Sequence, residues 1–113
     1  MGIHMVTITR KQRDRVFRAI ADPTRREILH LLRDGGRTVG SIALNFRTSR
    51  PAISKHLRVL RSAGLVSAQK KGTASLCKLN GIPLRAVSDW LGDYEAFWDE
   101  SLRNLKRYVE AKR

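Results

Sequence analysis

The sequence predicts one mainly helical domain with a single β-hairpin, in the order helix, helix, helix, helix, strand, strand, helix. Apolar residues recur at helical spacing in four segments before residue 64 and in one long segment after residue 83. Two short extended runs lie between them, and Ser, Thr, Asp, Pro and Gly punctuate the boundaries. The length of 113 residues suits a single domain. Residues 1–5, MGIHM, are interpreted as a vector-derived remnant, which leaves residues 6–113 as the domain.

The first two helices carry clear start signals. Thr9 can cap a helix over residues 10–20, because its hydroxyl can accept a hydrogen bond from a backbone N–H of the first turn. The dipeptide Asp22-Pro23 combines a preferred N-cap with the residue favoured at the first helical position. We expect this second helix to end before the Asp34-Gly35-Gly36 turn.

The third and fourth helices form a close pair. Thr38 can cap a short helix that reaches about Phe46, and Ser49 can cap the next one, which carries Pro51 in its first turn and ends at Gly64. Two such helices joined by a tight turn are typical of a helix-turn-helix. In the second of the pair the predicted buried positions are spaced by four and three residues and are Ile53, Leu57 and Leu60.

The two extended runs, residues 65–70 and 74–79, are joined around Gly72-Thr73 and predict a β-hairpin. A hairpin directly after a helix-turn-helix makes the fold class a winged helix-turn-helix, with the hairpin as the wing. The turn carries a basic pair, so Lys70, Lys71 and Thr73 are candidates to contact a nucleic acid backbone beside the helix. An ordinary solvated hairpin is the alternative.

The last helix, expected from Pro83 to about Lys112, has the composition of a protein interface. Its apolar residues recur at spacings of three and four, and both tryptophans and both tyrosines lie on it. Whether the helix continues through Gly92 is open, and a stripe that covers the core of its own domain is the alternative to an interface. The interface candidates on it are Leu91, Tyr94, Phe97, Trp98, Leu102 and Leu105.

The net charge of +13 is unevenly distributed. Residues 1–83 hold 17 basic and 4 acidic residues, whereas residues 84–113 hold six of each. Between residues 47 and 71 there are seven basic residues and no acidic one. A field of one sign attracts a polyanion, so this segment predicts a nucleic acid partner, with a merely basic soluble surface as the alternative.

The second helix of the predicted pair has an apolar side that can pack on the core and a polar, cationic side that can enter a DNA major groove. Base edges are read near the start of such a helix, so Arg50, Ser54 and Lys55 are candidates for base contacts. Arg47, Arg58 and Arg61 are candidates for phosphate contacts. The alternatives are a merely solvated charge for Arg58 and a role only as helix cap for Ser49.

Three segments resemble the ArsR family of winged helix-turn-helix regulators: ADPTRREILHLL at 21–32, SRPAISKHLRVLRSAGLV at 49–66 and KKGTASLCKLN at 70–80. The resemblance implies a homodimer held by the first and last helices, which adds Val16 and Phe17 to the interface candidates. It also implies repression from a palindromic operator, often in the repressor's own promoter. The family's base-reading positions fall on Ser49, Arg50, Ser54 and Lys55, with His56 nearby; for His56 packing or a phosphate bond is expected.

The metal sites of the family have no counterpart in this sequence. Metal-sensing members carry a Cys-x-Cys pair before the turn, and here that segment reads TVGSIALNF; other members use histidine on the last helix, which has none here. No metal and no cofactor is therefore expected, and a site assembled across a dimer is the alternative.

Other functions fit the sequence less well. No catalytic motif is present, so an enzyme is not expected. Residues 47–73 contain no aromatic side chain for stacking, which disfavours RNA. No apolar run is long enough for a membrane span, and the single cysteine, Cys77, fits a reducing cytoplasm. The hypothesis is thus a sequence-specific repressor that binds duplex DNA, and the alternative is a winged-helix adaptor that binds another protein.

Overall fold

The computed structural model describes residues 8–112, so the predicted remnant at 1–5 lies outside the described residues. The predicted order of helices and hairpin is confirmed, with one additional short strand and a short 3-10 helix. The elements are α1 (Arg10–Ile20), α2 (Pro23–Leu32), β1 (Arg37–Thr38), α3 (Val39–Ala43), α4 (Arg50–Ser62), β2 (Val66–Lys71), β3 (Ala74–Leu79), a 3-10 helix (Ile82–Leu84) and α5 (Arg85–Ala111).

All four predicted N-caps are present, which explains why these four helices begin where they do. The side-chain oxygens of Thr9, Asp22 and Thr38 each accept a backbone N–H three residues further on, at 3.1, 3.0 and 3.1 Å. Ser49 does the same for α4 at 3.3 Å. Each cap satisfies one of the N–H groups that a helix start leaves without a partner.

Helix α3 ends earlier than predicted, at Ala43 rather than near Phe46. The chain tightens after it, because Asn45 and Phe46 donate their N–H groups to the carbonyls three residues back, of Ile42 and Ala43. This tight turn carries the chain across to the start of α4 at Arg50.

The wing is a three-stranded antiparallel sheet in the order β1-β3-β2. The strands β2 and β3 pair from Val66↔Leu79 to Lys71↔Ala74, so Gly72 and Thr73 form a two-residue turn. Gly72 has a φ of 64°, a backbone conformation that favours glycine in such turns. Strand β1 was not predicted; it has two residues and pairs with Cys77 and Leu76.

One apolar core lies between the helices and the sheet. The predicted buried stripe of α4, Ile53, Leu57 and Leu60, is confirmed, with exposures of 0, 3 and 0%. This burial fixes α4 by one side and leaves its other side free. The core residues from the other elements include Val16, Ile28, Ile42, Leu65 and Cys77.

Helix α5 is continuous through Gly92 over 27 residues, which settles the open question about a break. Its start contacts the core through Val87 and the preceding Leu84. The rest of the helix extends away from the domain, and the chain measures 66 × 41 × 23 Å as a result. No helix within residues 8–112 is long and apolar enough to cross a membrane.

Candidate nucleic-acid interface

Helix α4 and the wing present a continuous cationic surface. Outside the buried stripe of α4, the side chains of Arg50, Lys55, Arg58 and Arg61 are exposed, and Ser54 is half-buried. Arg47 and Ser49, just before the helix, are also exposed. The predicted division of α4 into an apolar back and a cationic front is therefore present in the fold.

None of the lysine and arginine side chains of α4 or the wing forms a salt bridge within residues 8–112. The contacts of this kind in that part of the chain are Lys106–Glu110 on α5, at 4.0 Å, and His56–Asp22, at 3.9 Å, which joins opposite charges only when His56 is protonated. The charge of the surface is thus left uncompensated by the protein. Such a field favours a polyanionic ligand.

Arg50 lies across the neighbouring helix of the pair. A Cβ atom added at Gly40 of α3 would lie 3.7 Å from Nη1 of Arg50, so the guanidinium rests over a residue without a side chain. The sequence carries no signal for this role of Gly40, because the contact joins two helices and leaves no local pattern. Gly40 gives the long Arg50 side chain a surface on which to lie at the start of α4.

A cleft of about 170 Å³ separates α4 from the wing. Ser54, Arg58 and Arg61 line it from the helix, and Ser75 and Cys77 line it from β3. Burial raises the pKa of the Cys77 thiol, and the nearby charge of Arg61 opposes that rise. Two of the three arginines predicted to hold phosphates, Arg58 and Arg61, therefore lie on one rim, facing the wing.

The tip of the wing is exposed. Lys70, Lys71 and Thr73 all lie in or beside the Gly72 turn, with their side chains in solvent. The hairpin register places Lys71 opposite Ala74, so no neighbouring acid neutralises the tip. The predicted basic turn is present, and its contact with a nucleic acid remains a proposal.

His56 lies in the middle of α4, beside its buried stripe, and its ring faces residues of α2 and its N-cap. Its Nδ1 atom lies 3.3 Å from Nη1 of Arg25 and 3.9 Å from Oδ2 of Asp22. The pKa of Asp22 is lowered mainly because its carboxylate accepts the backbone N–H of Arg25; burial opposes this, and His56 and Arg25 add to it through their charges. The sequence carries no signal that Arg25 and Asp22 lie beside His56, since 31 residues separate Arg25 from His56.

The second surface is formed by α1 and α5. A ladder of aromatic rings starts at Phe17 and continues through Trp90, Tyr94 and Trp98, with centroid separations of 5.6, 5.1 and 6.4 Å. The three α5 members of this ladder are between 42 and 48% exposed. The ladder continues into further exposed apolar residues of α5, namely Phe97, Leu102, Leu105, Tyr108 and Val109.

One predicted interface residue is wrong. Val16 points from α1 into the core and has no exposed surface, so it cannot contact a second subunit. Its neighbour Phe17 is half-buried and contacts Trp90, and Leu91 is half-buried on α5. Trp90, Tyr108 and Val109 were left out of the predicted set, although the apolar spacing of α5 includes them.

The residues at the family's metal position do not fit a metal. The segment 39–46 offers no thiol, imidazole or carboxylate. Within the described chain, no three His, Cys, Asp or Glu side chains come together in a way that could hold an ion. His30 lies instead beside Arg33, whose Nη1 is 3.1 Å from its Nδ1.

A helix-turn-helix with a free cationic front and a basic wing defines a DNA-binding transcriptional regulator. The profile described as "Bacterial regulatory protein, arsR family" matches residues 22–68. The HTH-type transcriptional regulator Rv2034 of Mycobacterium tuberculosis is 35% identical over 92% of this chain and 94% of its own length. The transcriptional repressor SdpR of Bacillus subtilis is 45% identical over 67% of this chain and 84% of its own length. The chain belongs to the ArsR family of winged helix-turn-helix regulators.

Solved structures agree with this assignment. The crystal structure of an ArsR family transcriptional regulator, RHA00566, matches with a TM-score of 0.73 at 32% identity, over 83% of this chain and 97% of the other. The winged helix-turn-helix domain Mb0332 of Mycobacterium bovis, described as homodimeric, matches with a TM-score of 0.62 at 29% identity, over 80% and 93% of the two chains.

Proposed function

We propose that this regulator is a sequence-specific repressor that binds, as a homodimer, a palindromic operator in its own upstream DNA. The observation that carries the proposal is the cationic front of α4, which is uncompensated within residues 8–112 and lies beside a basic wing. We place the protein in the cytoplasm, where it would meet that DNA.

The roles of the side chains follow from their positions on α4. Ser49, Arg50, Ser54 and Lys55 occupy the first part of the helix, the part that enters a major groove, so they read bases. Arg58 and Arg61 lie further along, beside the wing cleft, and hold phosphates together with Arg47. Lys70, Lys71 and Thr73 at the wing tip contact the flanking backbone.

The homodimer rests on the exposed apolar face of α5. Side chains such as Phe97 and Leu102 are both 63% exposed in the single chain, in a segment of zero net charge. A second copy would remove this face from water, and the aromatic ladder from Phe17 would extend the contact to α1. Pairing would set two α4 helices about 34 Å apart, in successive major grooves of one palindrome.

The repressor would act without a metal at the family's cysteine position, because the segment 39–46 has no side chain that could ligate one. Occupancy of the operator would then depend on protein concentration and on the sequence of the DNA. Zinc added to the purified protein should leave its affinity for the operator unchanged, whereas a site assembled across the dimer would change it.

A DNA titration tests the proposal. The protein is titrated against its own upstream duplex and against a scrambled duplex of equal composition, at several salt concentrations. We expect a preference for the native duplex of at least ~10³-fold, together with a steep loss of affinity as salt rises. Equal binding to both duplexes would overturn the proposal of a specific operator in this DNA. Binding to neither duplex would favour a protein-binding adaptor.

A further inference from the structure

The side chain of Arg25 joins the end of α1 to the DNA-facing helix. Its Nε donates to the carbonyl of Ala19 at 2.7 Å and its Nη2 to that of Arg18 at 3.0 Å. Its remaining nitrogen, Nη1, lies 3.3 Å from Nδ1 of His56 on α4. The guanidinium is planar and its donors are fixed in a fork, so the two carbonyls determine where Nη1 points.

This contact determines which nitrogen of His56 carries the proton. A guanidinium only donates hydrogen bonds, so Nδ1 of His56 must accept, and a neutral imidazole then carries its proton on Nε2. Asp22 does not compete for Nδ1, because its Oδ2 is 3.9 Å away and already accepts the backbone N–H of Arg25.

The Nε2 atom is left available to a ligand. Within residues 8–112 no buried side-chain nitrogen lacks a hydrogen-bond partner, and the bonds of His56 there involve Nδ1 alone. Nε2 therefore reaches solvent, in a side chain that is 24% exposed. At 100° per residue His56 lies about 100° around α4 from Lys55, so it borders the cationic front on the side that faces Asp22 and Arg25.

We propose that Arg25 is a positioning residue that holds His56 as a neutral Nε2–H donor to a phosphate of the DNA backbone. The proposal rests on the DNA binding proposed above. In this contact the donor, the imidazole of His56, is uncharged, whereas the arginines of α4 would contact phosphates as cations. Such a contact adds affinity but releases no counterion, so it should leave the salt dependence of binding unchanged.

The first test uses the free protein and needs no DNA. Nitrogen-15 spectra of the histidine rings at about pH 8 should show His56 protonated on Nε2, with the signal assigned by its loss in His56→Gln. Arg25→Gln should shift His56 toward a mixture of tautomers, since an amide can also accept. Arg26→Gln is the matched control: Arg26 also donates to the end of α1, to Ile20 and Ala21, but does not contact His56. A ring protonated on Nδ1 in the unaltered protein, or one unaffected by Arg25→Gln, would overturn the proposal.

The second test measures affinity for the native duplex. His56→Ala should weaken binding by about tenfold per protomer, the lower end of the range for a hydrogen bond to a charged group, with the slope of log K against log salt unchanged. His56→Gln, which keeps an N–H near the position of Nε2, should recover most of the loss. Arg25→Gln should weaken binding by about fivefold more than Arg26→Gln, which removes the same charge.

The outcomes separate the two proposals. If the unaltered protein does not prefer the native duplex, the proposed repressor function is overturned. The ring spectra still test whether Arg25 sets the tautomer of His56. If that preference holds and His56→Ala binds the duplex as tightly as the unaltered protein, the proposed hydrogen bond from His56 to a phosphate is overturned. If His56→Ala also flattens the salt slope by about one, His56 contacts the phosphate as a cation, and the neutral donor is overturned.

Discussion

The ring of Phe17 on α1 meets the ring of Trp90 on α5 edge to face, with centroids 5.6 Å apart and planes at 79°. This contact joins the two helices into one aromatic surface, which continues along α5 beyond the core. The surface predicts where the subunit contact lies and how it can be broken without unfolding the chain.

Leu105→Glu should convert the protein from dimer to monomer at micromolar concentration. Leu105 is 57% exposed in the single chain, so the substitution should cost little in folding but place a charge inside the pair. Ala96→Glu is the control, because at 100° per residue Ala96 lies on the opposite side of α5 and is also exposed. The measurement is molar mass by sedimentation equilibrium. A dimer in both variants would place the contact elsewhere.

Substitutions on the DNA surface should separate base reading from phosphate contacts. Arg50→Ala should reduce the preference for the native duplex, by about 1–3 kcal/mol of discrimination, because a bidentate base contact would be lost. Lys71→Ala should weaken all duplexes alike and lower the salt slope by about one. Arg103→Ala, on α5 away from this surface, is the control for net charge. Uniform weakening by Arg50→Ala would contradict its role in base reading.

Asp22 should make stability depend on pH in the acid range. Its pKa is lowered from the ordinary value of 3.8, first by the backbone N–H of Arg25, so the carboxylate contributes stability that is fully present above 3.8. That contribution is lost as pH falls from 3.8 through the lowered pKa. Asp22→Asn, which retains a good cap, should therefore unfold in urea with a midpoint below that of the unaltered protein at neutral pH.

The difference between these two midpoints should shrink as pH falls from 3.8 through the lowered pKa of the Asp22 carboxylate, where the charge is lost. Asp22→Ala provides the comparison without a cap and should cost about 1 kcal/mol at neutral pH. A constant difference between Asp22→Asn and the unaltered protein at all pH values would show that the charge of Asp22 does not matter.

Cys77 should react slowly with thiol reagents while the chain is folded. Burial raises the pKa of its thiol, and the side chain is only 1% exposed, so both the thiolate fraction and access are low. We expect alkylation by iodoacetamide at about pH 7 to be at least ~10-fold slower than in denaturant, measured by mass spectrometry. Equal rates in the two conditions would show that the floor of the wing cleft opens readily.

Features set by neighbouring residues could be predicted from the sequence. The four N-caps act over three residues, from Thr9, Asp22, Thr38 and Ser49, so the helix starts follow from local hydrogen bonding. The buried stripe of α4 and the cationic residues opposite it follow from the period of the helix. The surplus of charge before residue 84, and the neutral segment after it, required only counting.

Features that depend on contacts between distant segments were decided by the tertiary structure. Strand β1 has two residues, too few for a pattern, and exists because β3 pairs with it. Val16 and Phe17 are neighbours on α1, yet packing buries the first and leaves the second to contact Trp90. The bond from Arg25 to His56 spans 31 residues and has no local signal. Local rules determine which elements form and which side chains each one presents, and only packing determines which of those side chains meet.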